Sequence, residues 1–130
     1  MFALPSSLAR TIALIGVAVF FTGAGVAHFT HSGFFLSIVP PYLPAHRALV
    51  SLSGIAEIAG GLGVLPIATR RWAGYGLLAL LAAVYPANIH MAMNPELFPQ
   101  MSPVALIVRL PFQFVFAAWV WWATRPEARA

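Results

Sequence analysis

Residues 50–64 (VSLSGIAEIAGGLGV) place one carboxylate, Glu57, near the middle of an apolar stretch. Small residues stand one helical turn to either side of it: Ser53, Gly54, Gly60 and Gly61. Because residues three and four apart share a helix face, the face that carries the acid also lets another helix come close. A carboxylate at the centre of a bilayer costs about 2.5–3.5 kcal/mol, so we expect Glu57 to turn toward a bundle interior.

The chain as a whole is too apolar for a soluble domain. Its 130 residues are 61% hydrophobic and only 8% charged, whereas soluble domains are roughly 25% charged. A membrane crossing takes about 20 apolar residues, so the length accommodates four spans with short connections. We predict an all-α membrane protein, an antiparallel bundle of four transmembrane helices that forms a single domain over residues 1–130.

The predicted helices cover residues 7–29, 44–65, 72–93 and 103–123. Between the first two, residues 34–42 (FFLSIVPPY) are too short to span, and their aromatic side chains favour an interfacial segment. Pro86 interrupts the third helix and predicts a bend there. Gly16 and Gly23, seven residues apart on the first helix, predict a second close-packing surface.

Arginines indicate how the bundle is oriented. One predicted side carries Arg10, Arg70, Arg71, Arg125 and Arg129. Only Arg47 flanks the other side, so the positive-inside rule places both termini in the cytoplasm. The pI near 10.8 therefore reflects membrane orientation, and we predict no nucleic-acid partner.

Six polar side chains fall in the outer half of the predicted helices: His28, Glu57, Asn88, His90, Arg109 and Gln113. Since lipid disfavours outward-facing polar groups, we expect them to converge on one interior chamber. Two interpretations stay open. In the first, the six form a pocket for a ligand or a proton. In the second, a Glu57–Arg109 ion pair supported by the amides only joins the helices, with contacts worth about 0.6 kcal/mol each.

Metal chemistry has less support. Cysteine is absent, which excludes thiolate metal sites and iron–sulfur clusters built from this chain. His28 with His90, Met91 and Met93 is a candidate set for soft copper, and the two histidines are candidate haem ligands. Methionines at helix ends more often pack or contact lipid, so we assign no metal ligands.

Taken together, several segments resemble the DoxX family of small four-helix membrane proteins over nearly the full chain. The matching segments are GVAHF (25–29), IVPPYL (38–43), SGIAEIAGGLGVL (53–65), TRR with AG (69–74), YPANIHM (85–91) and RLPFQ (109–113). The resemblance implies a bacterial inner-membrane protein. It also implies relatives linked to thiosulfate:quinone oxidoreduction and membrane redox complexes, some working with a separate partner subunit, and distant animal relatives that look like receptor-assembly chaperones.

We therefore predict the membrane subunit of a redox or quinone-linked system, with a polar pocket that opens outward. Glu57 is the candidate proton-holding group and Arg109 the candidate ligand for an anionic or carbonyl oxygen. The other candidate ligand-binding residues are His28, Asn88, His90 and Gln113. Quinone is the candidate cofactor, and the candidate partners are the lipid bilayer, a redox subunit and a second copy.

The alternatives are a non-enzymatic assembly factor or chaperone for membrane proteins and a small-molecule transporter. The residues themselves contain no redox centre, so the sequence leaves open whether the chain is an enzyme.

Overall fold

A computed structural model describes residues 3–126 of the chain. Over that range the fold is all-helical, as predicted, and contains no strand. The elements are α1 (Leu8–Thr30), α2 (Ser32–Ile38), α3 (His46–Gly63), α4 (Ile67–Met93), one turn of 3₁₀ helix (Pro95–Leu97) and α5 (Pro103–Thr124).

Three of these helices, α1, α4 and α5, are long and apolar enough to cross a membrane. Many of their large apolar side chains are exposed, among them Ile12, Val104 and Phe114. Such a surface is compatible with a membrane protein. Helix α3 has 18 residues but is not among these three, because Arg47 and Glu57 lower its hydropathy.

The four longer helices pack as a ring in the order α1, α3, α4, α5, with α5 closing onto α1. Neighbours run antiparallel: Ala18 of α1 lies against Gly61 of α3, whereas Gly25 lies against Gly54. Likewise the Arg10 side chain of α1 donates a hydrogen bond to the carbonyl of Arg125, just beyond α5. One end of the ring therefore holds both ends of the described chain, and α2 lies at the other, against α1, α3 and α4.

Glycines set the distance between α1 and α3, as the sequence predicted. A Cβ atom added at Gly25 would lie 2.7 Å from the carbonyl oxygen of Gly54, and one added at Gly54 would lie 2.8 Å from His28 Cβ. On the neighbouring face, Gly60 packs against Leu77 of α4. The contact between Gly25 and Gly54 therefore brings the backbones of α1 and α3 together near Glu57.

The prediction that Gly16 and Gly23 form a second close-packing surface is confirmed at Gly16 and wrong at Gly23. Gly16 packs against the Trp119 ring, but Gly23 is exposed and has no atom within 4 Å of an added Cβ. Aromatic contacts between α1 and α5 run only as far as Phe20 and Phe116, whose rings are 5.3 Å apart. At Gly23, in contrast, no described atom of α5 lies within 4 Å of the added Cβ, so the two helices do not pack closely at this position.

Two helix starts differ from prediction. Helix α4 begins at Ile67 rather than near residue 72, because Pro66 precedes its first turn and its carbonyl accepts a hydrogen bond from the Arg70 amide at 2.9 Å. Helix α3 begins at His46 rather than residue 44. Ala45, with φ of 53° in the left-handed region, interrupts the helical backbone just before it.

The arginines of the described residues are distributed as the sequence predicted. Arg10, Arg70, Arg71 and Arg125 lie at the end where α1 and α4 begin and α3 and α5 end. Arg47 lies in the first turn of α3 at the opposite end. Arg129 lies outside the described residues.

Candidate functional site

A cavity of about 310 Å³ lies inside the ring, in the half that α2 covers. All five α-helices contribute to its mainly apolar wall. The polar side chains in the wall are His28, Ser53, Glu57, Asn88, Arg109 and Gln113. Five of the six predicted site residues therefore line a common chamber, and Glu57 and Arg109 are both among them.

The close contact between α1 and α3 brings His28 against Glu57. His28 Nδ1 lies 3.1 Å from Glu57 Oε2, and the two side chains are only 9% and 13% exposed. The same nitrogen lies 2.8 Å from the carbonyl oxygen of Ala24. Because a carbonyl can only accept, Nδ1 must carry the hydrogen and directs it to Ala24. Glu57 Oε2 is buried and receives no hydrogen bond from the described residues.

An aromatic ring from α2 covers this pair. Phe35 stacks on the His28 imidazole with ring centroids 3.9 Å apart and planes inclined by 17°. The sequence placed this segment at the membrane interface and did not assign Phe35 to the site. Phe35 lies seven residues after His28, and the helical backbone breaks between α1 and α2 at His31. This spacing is the only signal of the contact in the sequence.

Asn88 and Gln113 join α4 to α5 beside the cavity. Asn88 Nδ2 donates to Gln113 Oε1 at 3.3 Å, and Gln113 Nε2 donates to the carbonyl oxygen of Leu81. Leu81 precedes Ala82, whose carbonyl lacks its usual amide donor because Pro86 lies four residues later. The Gln113 amide thus uses both its oxygen and its nitrogen in bonds that hold the two helices together.

Arg109 lacks the partner that an interhelical ion pair would require. Its Nη1 lies 3.7 Å from Met91 Sδ and 4.0 Å from Met101 Sδ, and thioether sulfur is a weak acceptor. No ion pair joins Arg109 to Glu57 within residues 3–126. The Glu57–Arg109 ion pair considered from the sequence is therefore not formed, although both residues line the cavity. The sequence did not assign Met91 and Met101 to this role.

His90 lies outside the cavity wall. Its Nδ1 is 3.3 Å from Asn94 Nδ2, and its ring meets Phe98 edge-on at 6.2 Å between centroids. His90 follows Asn88 by two residues, and a step of two residues along a helix turns the side-chain direction by about 200°. The two side chains therefore point to nearly opposite sides of α4. Within the described part of the chain, no group of three or more His, Cys, Asp or Glu side chains is placed to hold a metal ion.

A family model described as a domain of unknown function (DUF8561) matches residues 17–124. This range includes every residue of the cavity wall. The comparisons with curated proteins and with solved structures gave no match.

Proposed function

We propose that this chain, which belongs to the DUF8561 family, is a bacterial inner-membrane protein with four transmembrane helices whose cavity binds the ring of a quinone. Helix α3 would be the fourth span. It packs between α1 and α4 in the ring, and Glu57 lies against α1, so its charge need not meet lipid. The resemblance to the DoxX family supports a place in a quinone-linked redox system, with a redox subunit or a second copy as partner.

The composition of the cavity wall carries this proposal. Ligand cavities are typically about 300–1,000 Å³ and mostly apolar, with a few polar groups that orient the ligand. Here aromatic side chains, including Phe20, Phe35 and Phe116, offer apolar surface for a flat ring. The Arg109 guanidinium, whose hydrogen-bond acceptors in the described part of the chain are two thioethers, is suited to donate hydrogen bonds to a ring oxygen.

The distribution of arginines supports an outward position for the cavity. The cluster at the opposite end of the ring would face the cytoplasm under the positive-inside rule. The half that α2 covers, which contains the cavity, would then lie toward the outer face of the membrane. A quinone could reach it from within the bilayer, because its ring and tail are lipid-soluble.

Thermal unfolding of the purified protein in detergent tests the proposal, with duroquinone and its reduced form durohydroquinone as probes. At a free concentration one hundred times Kd, a ligand stabilises its protein by about 2.7 kcal/mol, so Tm should rise by several degrees. Arg109→Gln should lose most of the shift. Arg47→Gln, which removes an exposed arginine outside the cavity wall, should keep it. If neither form raises Tm of the wild-type protein, the proposed function is wrong.

A further inference from the structure

The polar groups of the cavity wall fall into two sets on opposite halves of the helix ring. One set, on α1 and α3, comprises His28, Ser53 and Glu57, and the other, on α4 and α5, comprises Asn88, Arg109 and Gln113. In the described chain no ion pair connects the two sets. Each set therefore contains hydrogen-bonding groups that the other set does not satisfy.

The first set leaves an acceptor unused. The Nδ1 hydrogen of His28 is directed to the Ala24 carbonyl, so it does not satisfy Glu57 Oε2 3.1 Å away. That oxygen is buried and has no hydrogen-bond donor among residues 3–126. A carboxylate that lacks a hydrogen-bond donor is costly to bury, and because Glu57 lines the cavity, a ligand that brings a hydrogen to the carboxylate would recover part of that cost.

The second set leaves a donor unused. The Gln113 amide is engaged at both ends, by Asn88 and by the Leu81 carbonyl. Among residues 3–126, Arg109 has only two thioethers within hydrogen-bonding range. A guanidinium has five N–H groups and accepts nothing, so it can serve only a ligand oxygen.

Resting on the proposed function, we infer that the cavity selects the reduced, quinol form of its ligand, with one ring hydroxyl donating to Glu57 and the oxygen at the other end of the ring accepting from Arg109. A quinol hydroxyl carries both a hydrogen and an acceptor oxygen, so one molecule matches both sets. An oxidised quinone has only acceptors at its two ends. Beside an ionised Glu57, its carbonyl oxygen would face the carboxylate with no hydrogen between them.

Isothermal titration calorimetry under anaerobic conditions tests this selectivity with three matched probes. They are durohydroquinone, duroquinone and the dimethyl ether of durohydroquinone, which keeps the ring and both oxygens but has no hydroxyl hydrogen. A hydrogen bond to a charged acceptor corresponds to about a ten- to hundredfold change in Kd. The wild-type protein should therefore bind durohydroquinone tighter than either of the other probes by that factor.

Variants of the two sets should respond differently. Glu57→Met removes the acceptor at similar volume and should bring the quinol-to-quinone ratio of Kd close to one. Glu57→Gln keeps a neutral acceptor and should give an intermediate ratio. Arg109→Gln should weaken all three probes and leave a preference for the quinol. Glu96→Gln, the matched change at an exposed carboxylate outside the cavity wall, should leave every Kd unchanged.

The outcomes separate this inference from the proposed function. If the wild-type protein binds quinol and quinone equally, or if Glu57→Met keeps the wild-type ratio, the assignment to Glu57 is overturned while quinone binding stands. If Glu57→Met fails to fold, an unchanged ratio in Glu57→Gln overturns it instead. If no probe binds the wild-type protein, the proposed function fails first.

Discussion

The two halves of the bundle pack in different ways. At the arginine end, α1, α3, α4 and α5 close around a continuous core formed by Leu14, Val17, Ala18, Phe21, Val64, Leu77, Val120 and Ala123. In the half that α2 covers, the same helices surround the cavity. There the buried apolar cluster is small and lies to one side, at Met91, Phe98 and Leu106.

The difference follows from the residues that each half contains. At the arginine end small and large side chains interlock, as where Gly16 receives the Trp119 ring and Gly74 packs on Thr124. In the other half, α4 contains Pro86 and α5 contains Pro111, and each proline removes one backbone amide donor from its helix. There the hydrogen bonds of Asn88 and Gln113 join α4 to α5 beside the cavity. One half is therefore suited to stability, and the other retains space that a ligand can use.

The largest expected effect comes from truncating a leucine in the core. Leu14 is fully buried, so Leu14→Ala should destabilise the protein by about 2 kcal/mol, the low end of the range for such changes. Lipid is as apolar as the core, so the loss is mainly one of packing contacts. Denaturant titration of the purified protein in mixed micelles measures the change.

Leu49→Ala is the matched control, because Leu49 lines the cavity and is 36% exposed. This substitution should cost well under half as much as Leu14→Ala. Equal costs for the two variants would contradict the distinction between a packed half and an open one.

A smaller effect is expected from adding one methyl group to α1. At Gly25 an added Cβ would lie 2.7 Å from the Gly54 carbonyl and 2.9 Å from the Ile58 amide nitrogen. Because these are backbone atoms, Gly25→Ala must push α1 and α3 apart, at a cost of about 1 kcal/mol, the low end of the range for overpacking. The same titration should show this loss. Calorimetric titration with durohydroquinone should also show a lower affinity, since His28 and Glu57 would separate.

Gly23→Ala makes the same change two residues earlier on the same helix, where no atom lies within 4 Å of the added Cβ. Stability and probe affinity should both stay at wild-type values. A loss at Gly23 similar to that at Gly25 would show that helix backbone effects, rather than the close approach of α1 to α3, cause the destabilisation.

These glycines also show how far the sequence could predict the molecule. The cost of a charge in lipid was enough to predict that Glu57 turns inward among close-packed glycines, and to place five of six polar residues on one cavity. Helical spacing alone could not show that Gly23 is exposed, because that depends on where α5 stops packing against α1. Nor could it show that Arg109 contacts methionines rather than Glu57, since the side chain of arginine can reach several levels of a bundle.

The smallest effect on stability is expected at Phe35. Helix α2 has no buried residue, and the Phe35 ring stacks on the His28 imidazole at the edge of the bundle, so Phe35→Ala should change the unfolding free energy by less than about 1 kcal/mol. The ring nevertheless closes the cavity above His28 and Glu57. Its removal should therefore speed both binding and release of durohydroquinone, which stopped-flow tryptophan fluorescence can follow through Trp119, 5.9 Å from the cavity-lining Phe20. If the rates stay unchanged while Leu14→Ala destabilises as expected, the quinol enters between the helices rather than past α2, and the open half has its entrance on the lipid side.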